Sequence, residues 1–382
     1  MRANRRRKHE TCPYDGHFQL RRKREILRLV SATDGASAWN TQGKFLKSVL
    51  TEVRADKTLR SNQDELAQSC IIMFTKDSLK RLEQSLERLA GRRLPVIVMD
   101  DSVDRMTKKW IRSTFDERDV LYHGRDEQDA FVSKIKSVPF GSYASRLGIR
   151  KWHLGSCRSY ALSFARAVGF SKILMVDDDI IVHRYEKALK TLGLLAIFGI
   201  VGAKTAGMPD DSVMGHILRQ GATCNSEFIS GQFMAIDLKR VSFPFPDIYN
   251  EDWAFVLLHS LSLQVARYSS AYQLPYNPVA NLIEKSMFQE PGEVFCVGVI
   301  EAVRWRELSL LLERSYWTSV CRWRIEYLES SSQQTAGSGT AKRLGTVICA
   351  LKRVHLSGLA NRLHNFAMRY FSGLEEWRER LA

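Results

Sequence analysis

The stretch KILMVDDDIIV, Lys172 to Val182, sets an apolar run on each side of three consecutive carboxylates, Asp177, Asp178 and Asp179. An unbroken apolar run of this length reads as a strand buried on both faces, the kind found in parallel sheets covered by helices. Carboxylates at its end repel one another and lose hydration, so they call for a cation or solvent to compensate them. The plainer reading is a polar turn after a strand, because Asp is common in turns. In an extended segment alternate side chains share a face, so Asp177 and Asp179 are expected to point one way and Asp178 the other. Two carboxylates on one face, with positions left for water and phosphate, suit Mg2+ or Mn2+ held mostly by a substrate.

Upstream the same alternation of apolar run and helix repeats. CIIMF, Cys70 to Phe74, is a short strand, and DSLKRLEQSLERLAG follows with Leu79, Leu82, Leu86 and Leu89 at helical spacing and Gly91 closing the helix. LPVIVMDDS reads as a strand ending in Asp100 and Asp101, VDRMTKKWIRSTF as a helix, DVLYHG as a third strand and GSCRSYALSFARAVGF as a further helix. This pattern predicts an α/β fold with a mainly parallel sheet sandwiched by helices. Ligands in such sheets bind at the carboxyl ends of strands, so Asp100, Asp101 and the triple aspartate are expected to line one crevice.

Downstream the pattern is mixed. AIFGIVGAKTAG reads as another strand, EFISGQFMAIDLKRV as a hairpin or strand pair with Gly231 at the bend, and NEDWAFVLLHSLSLQ as a helix that begins at Glu251 and Asp252. The helix dipole accounts for two acids in a first turn by itself. A carboxylate there is also a suitable general base for an acceptor hydroxyl.

Taken in this order the segments resemble the GT-A nucleotide-sugar glycosyltransferases, most closely the family 2-like group, over about residues 68 to 260. VIVMDDS is similar to the base-recognition strand, ILMVDDD to the D-x-D metal motif, ISGQFMAI to the Gly-containing acceptor-side segment and NEDWAF to the E-D motif. The resemblance implies a Rossmann-like GT-A fold and a donor such as a UDP- or GDP-sugar. It places Thr75, Asp100, Asp101, Asp177 and Asp178 around the nucleotide sugar, and Asp177 and Asp179 at a Mn2+ or Mg2+ ion bridging the diphosphate. Asp252 becomes the base, Glu251 its neighbour and Gly231 an acceptor-side residue; Arg158 is a diphosphate contact or an ordinary surface arginine. Transfer through an oxocarbenium-like state with one base implies inversion at the anomeric carbon. EAVRW keeps the Arg-Trp of the Q-x-x-R-W segment found in processive family 2 synthases, so Arg304 and Trp305 form either an acceptor platform or part of a packed helix. Neither His259 nor His355 is assigned as a third metal ligand.

Composition sets the partners. The 382 residues are 45% hydrophobic with a formal net charge of +15, enough to bury a substantial core. Within the first 28 residues ten Lys or Arg face three acids. Residues 1–66 are therefore expected to form a basic arm before a catalytic domain at 67–300, with a helical extension at 301–328. The Ser-rich 329–340 reads as a linker and 341–382 as basic amphipathic helices. Basic ends fit an anionic membrane surface or acceptor, while the lack of interleaved aromatics or a nucleic-acid module argues against nucleic acid. The acceptor is a glycan, a lipid-linked sugar or a small molecule. Seven scattered cysteines without a C-x-x-C, no secretory h-region and no apolar run long enough to span a bilayer predict a cytoplasmic, at most peripherally membrane-associated enzyme. The competing reading is a catalytically degenerate GT-A-fold scaffold acting through its basic ends.

Overall fold

A computed structural model describes residues 15–53, 66–135, 154–207, 212–220, 228–277, 280–334, 339–353 and 356–374. Nine strands among them form a single sheet: β1 Leu50–Val53, β2 Ser69–Thr75, β3 Val96–Asp100, β4 Val120–His123, β5 Lys172–Asp177, β6 Ile180–Ile181, β7 Ile200–Gly207, β8 Ser230–Asp237 and β9 Val265–Gln273. The order is β1-β9-β7-β8-β5-β2-β3-β4, with β6 on β9. All but β8 and β6 run in one direction. This is the mainly parallel α/β sheet that the apolar runs predict.

Alternate residues of the buried strands feed two cores, as the pleat requires. Ile72, Phe74, Ile97, Met99, Ile173 and Met175 enter the larger cluster, whereas Ile71, Met73, Val96, Val98, Leu174 and Val176 enter the smaller one. The smaller is covered by α3 Leu79–Leu86, α4 Met106–Thr114 and, after α5 Arg125–Ile135 and α6 Leu154–Ala167, by α7 Tyr185–Gly193. Leu82 and Leu86 of α3 have no exposed surface, as their spacing predicts, and Gly91 takes the left-handed φ of 62° that ends the segment.

The larger core takes α6, α9 Glu251–His259, α10 Leu282–Arg304, α11 Arg314–Gln334 and α13 Leu356–Ser372. A third cluster joins α8 Val213–Gln220, the end of α11 and α12 Gly339–Arg353. No described helix is long and apolar enough to cross a membrane.

The described elements run across three of the expected boundaries. From residue 15 the basic arm is built into the fold: α1 Asp15–Ala32 buries Ile26 and Val30 in the larger core, α2 Gly35–Val49 starts on the Asp34 cap, and β1 pairs with β9. Two inward apolar residues four apart suffice to dock α1, although cations surround them in the sequence. The boundary at residue 300 falls inside α10. Of the expected linker, Glu329–Gln334 continues α11, with Ser331 turned inward, and residues 335–338 lie outside the described residues. The apolar face of α13, with Leu359, Leu363, Phe366 and Tyr370, is spent on the larger core. It is not the membrane-facing surface that its amphipathic pattern allows.

A second buried charge cluster ties the C-terminal helices to the sheet domain. Arg324 of α11 donates from Nε and Nη2 to the two Glu290 oxygens, each at 2.8 Å, and lies 3.5 Å from Glu293. Removing one partner of such a pair leaves an uncompensated buried charge, at a cost of about 3–5 kcal/mol. Arg324→Met is therefore expected to lower the urea midpoint by a matching amount, and Glu290→Leu in the same chain to recover part of the loss. A midpoint unchanged by Arg324→Met would show that the pair carries no such weight.

Candidate active site

Register brings the candidate residues together. Thr75 pairs with Asp100 across β2 and β3, and Phe74 with Asp177 across β2 and β5, so these strands end at one edge. Strand β8 arrives antiparallel, Phe233 opposite Val176, and carries Ser230, Gly231 and Gln232 to the same edge. The first turn of α9 closes over it. A cavity of about 500 Å3 results, lined by Thr75, Asp101, Arg158, Asp177, Asp178, Asp179, Glu251 and Asp252 among others. Gly231 is not a hairpin bend: it is an extended residue of β8, and its lack of a side chain serves a close approach.

The expected alternation of the aspartates fails because β5 stops at Asp177, after which Asp178 and Asp179 form a turn into β6. All three therefore reach the cavity. Asp177 takes Arg158 Nη2 at 3.1 and 3.0 Å, Asp178 Oδ2 accepts the Thr75 hydroxyl at 2.7 Å, and Asp179 Oδ2 accepts the Gln273 amide at 3.0 Å. Burial pushes Asp178 up to about 7 and Asp179 up to about 6, with the neighbouring aspartates adding repulsion. Among the described residues no three His, Cys, Asp or Glu side chains converge into a ready metal cage.

Arg158 is a strut rather than a diphosphate contact or a surface residue. It is 2% exposed, lies between the Phe74 and Phe245 rings, and bonds Asp177 on one side and Glu251 Oε1, at 2.8 Å, on the other. Its two terminal nitrogens are thereby engaged within the protein. Burial pushes the Glu251 carboxyl up, opposed by Arg158. Asp252 is fixed by backbone donors: its Oδ2 accepts Gly231 N–H at 2.6 Å and its Oδ1 accepts Trp253 N–H at 2.8 Å. Ahead of the pair, Asn250 sits at φ 61° and donates to Glu293 at 2.8 Å. Gly292 lets α10 approach there, since a Cβ would overlap the Tyr249 carbonyl.

Other expected residues lie elsewhere. Asp100 has no exposed surface and accepts Ser102 N–H at 2.8 Å and the Tyr122 hydroxyl at 3.0 Å, so it organises the loop after β3 instead of meeting a nucleoside. Asp101 does line the cavity, between Lys76 at 2.6 Å and Arg125 at 2.8 Å. Arg304 and Trp305 do not line it. They sit at the far end of α10 from cavity residues Lys285, Phe288 and Gln289: Arg304 pairs with Glu301 and covers the Trp305 ring, and Arg22 of α1 donates to the Trp305 carbonyl. His259 is buried, its Nε2 facing the N–H groups of Ser242 and Phe243 and its Nδ1 the Phe255 carbonyl, which leaves it no role as a metal ligand. His355 lies outside the described residues. Sequence reasoning missed the cations Lys76, Arg81 and Lys285, the aspartate partner Gln273 and the aromatic side chains Tyr249, Tyr276 and Phe288. Of these only Arg81, one turn into the helix after β2, carried a positional signal.

Gly231 gives the sharpest test of this geometry. A Cβ there would overlap Arg158 Nη1 and come within 2.7 Å of the Asp252 Cβ. Gly231→Ala is expected to destabilise by about 1–3 kcal/mol through overpacking. Gly345→Ala, inside α12 with nothing within 4 Å of the added carbon, should stabilise by about 0.5–1 kcal/mol. Both are read from denaturation midpoints, and a neutral Gly231→Ala would refute the close approach.

No family profile and no curated protein matches the sequence. Among solved structures the chain is similar to a mannosyltransferase from Pyrobaculum calidifontis, in complex with GDP-Man and Mn2+, at 14% identity over 92% of this chain and 99% of that one, with a TM-score of 0.42. It is also similar to a protein from Desulfovibrio desulfuricans G20 described as a putative nucleotide-diphospho-sugar transferase, at 11% identity over 75% and 97% of the two chains and a TM-score of 0.32. Mouse xyloside xylosyltransferase 1 follows at 11%, 45% and 67%, and 0.28. The sheet of the described residues is mostly parallel, with helices on both faces.

Proposed function

We propose that the chain transfers a sugar from a nucleotide-diphosphate donor, a UDP- or GDP-sugar, to an acceptor hydroxyl. One observation carries this reading: Thr75, Asp101 and Asp179, which follow or close strands, and Asp252, which opens α9, converge on one cavity at the carboxyl edge of the sheet, where ligands of such sheets bind. Its lining holds seven acidic and four basic side chains. A nucleotide diphosphate is itself anionic, so it settles there only with a compensating cation.

The donor set fits a divalent one. Asp178 and Asp179 supply carboxylate oxygens only, the described residues preform no cage, and coordination is left to phosphate and water, as suits Mn2+ or Mg2+. Asp177, already neutralised by Arg158, has less to offer than the sequence suggested. When bound, the ion offsets the charge that develops on the departing diphosphate. Thr75 and Asp101 line the nucleoside end. Asp252, held by two backbone N–H groups, accepts the acceptor proton, and Arg158 and Glu251 keep its helix turn against β5. A single base on the side away from the leaving group gives inversion at the anomeric carbon.

Mn2+ together with a nucleoside diphosphate should raise the melting temperature more than the sum of either alone, because each supplies the charge that the other lacks. A panel of UDP, GDP, ADP and CDP with no metal-dependent shift would overturn the reading. The division of labour is tested by two variants. Asp179→Ala should abolish metal-dependent nucleotide binding, whereas Asp252→Asn, which can still accept the Gly231 N–H, should spare binding and slow transfer by about 10^2–10^4-fold. Equal loss of binding in both variants would contradict it.

A further inference from the structure

On the outer side of the aspartate turn lies a second groove, of about 770 Å3, that the proposed reaction does not use. Its floor is β6 and Val182, directly after Asp179. One wall is the end of α3 and the turn beyond it, with Arg88 and Arg92; the other is Arg184, leading into α7. Tyr272 of β9 and His183 lie across it, their rings 5.9 Å apart. We infer that this groove binds an anionic carbohydrate, a sugar chain bearing carboxylate or phosphate groups.

Three observations support the assignment. Arg88, Arg92 and Arg184 are exposed and none enters a salt bridge with a described residue. Glu87 and Glu186 share the rim and leave a positive excess. Arginine forks present paired donors that match carboxylate and phosphate oxygens. Second, Tyr272 remains 39% exposed near the end of β9, beside an exposed imidazole. An aromatic body with a polar tip suits the apolar face and hydroxyl rim of a sugar ring.

The third is position. Ile181 pairs with Tyr272 and Ile180 with Gln273, and Gln273 holds Asp179. Ser85 of α3 bonds the carbonyls of Asp178 and Ile180, so the wall and the floor of the groove grip the same turn. His183 lies four positions after Asp179, a span of at most about 14 Å. Helix α3 directs Arg81 to the central cavity and Gln84 to the groove, so one helix serves both. The groove is cationic where the central cavity is acidic, so an acidic chain is drawn to the first and repelled by the second. This assignment concerns binding alone and stands apart from the reaction proposed for the central cavity.

The test is calorimetric titration of the full chain, without divalent metal, with tetragalacturonic acid, a phosphorylated maltotetraose, neutral maltotetraose and inorganic pyrophosphate. At least one anionic oligosaccharide is expected to bind roughly tenfold more tightly than maltotetraose and pyrophosphate. Which of the two does so identifies carboxylate or phosphate as the recognised group. Arg88→Ala and Arg184→Ala, both at exposed positions, and Tyr272→Ala should each weaken that binding roughly tenfold. Arg118→Ala, an exposed arginine outside the groove with the same change in charge, should leave it unaltered. The inference is overturned if neither anionic oligosaccharide binds, or if maltotetraose or pyrophosphate binds as tightly. Equal weakening by Arg118→Ala, or none by the groove variants, overturns it too.

Discussion

The buried guanidinium of Arg158 is the contact on which the cavity depends. Moving such a charge out of water costs several kcal/mol after relaxation, and only close, well-aligned counter-charges offset it. Asp177 and Glu251 provide them from two elements that are otherwise unrelated, the end of β5 and the first turn of α9. The bridge therefore sets the distance between the aspartate turn and the Glu251–Asp252 pair. Gly231 follows from it, because β8 must pass so close to Arg158 and Asp252 that no side chain fits. Asp252 then gains a backbone donor from the same glycine. Two ion pairs to one arginine, one missing Cβ and one N–H bond thus specify where two carboxylates face the cavity.

The same bridge leaves the remaining charge unbalanced. Arg158 is consumed by Asp177 and Glu251, and Lys76 is drawn to Asp101 at the rim. Among the described residues Asp178 and Asp179 hydrogen-bond to neutral side chains, Thr75 and Gln273; burial raises both, and the Arg81 charge opposes it only in part. A protein that needed these residues only for a turn could expose them to water, where the charge costs little. Holding them half-buried against one another is what the proposed joint binding of a cation and an anionic ligand would relieve.

Much of the sheet was legible because its strands are buried on both faces, which writes continuous apolar runs such as CIIMF and KILMV into the chain. The helices that cover the smaller core were legible from leucines at helical spacing. What the sequence concealed was long-range. Asp100 and Asp101 are adjacent and alike, yet one is sealed by Ser102 and Tyr122 while the other faces the cavity; only packing separates them. Arg158 looked like a ligand contact because its partners lie 19 and 93 residues away. Gly231 carried the right emphasis with the wrong cause, since a glycine read locally suggests a bend and not a neighbour pressed against its Cα. Alternation across Asp177 to Asp179 held only as far as the strand did. In α1 the amphipathic patch REILRLV stands among the cations that dominate the composition, and Ile26 and Val30 within it enter the larger core.

The C-terminal helices belong to the mechanism of positioning, not to an appendage. Asn250 precedes Glu251 in a left-handed conformation that a non-glycine residue adopts only when its surroundings fix it. What fixes it here is Glu293, which accepts from the Asn250 amide, and Cys296, whose thiol faces the Asn250 carbonyl at 3.2 Å. Both lie on α10. Glu293 is in turn held by Arg324 on α11, so a buried chain of polar contacts runs from α11 through α10 to the residue that launches the Glu251–Asp252 turn. Arg158 secures that turn from the sheet side and Arg324 from the helical side. In the role proposed for it, Asp252 needs a fixed direction more than a strong field. Two buried arginines, neither of them a base, supply that direction from opposite flanks.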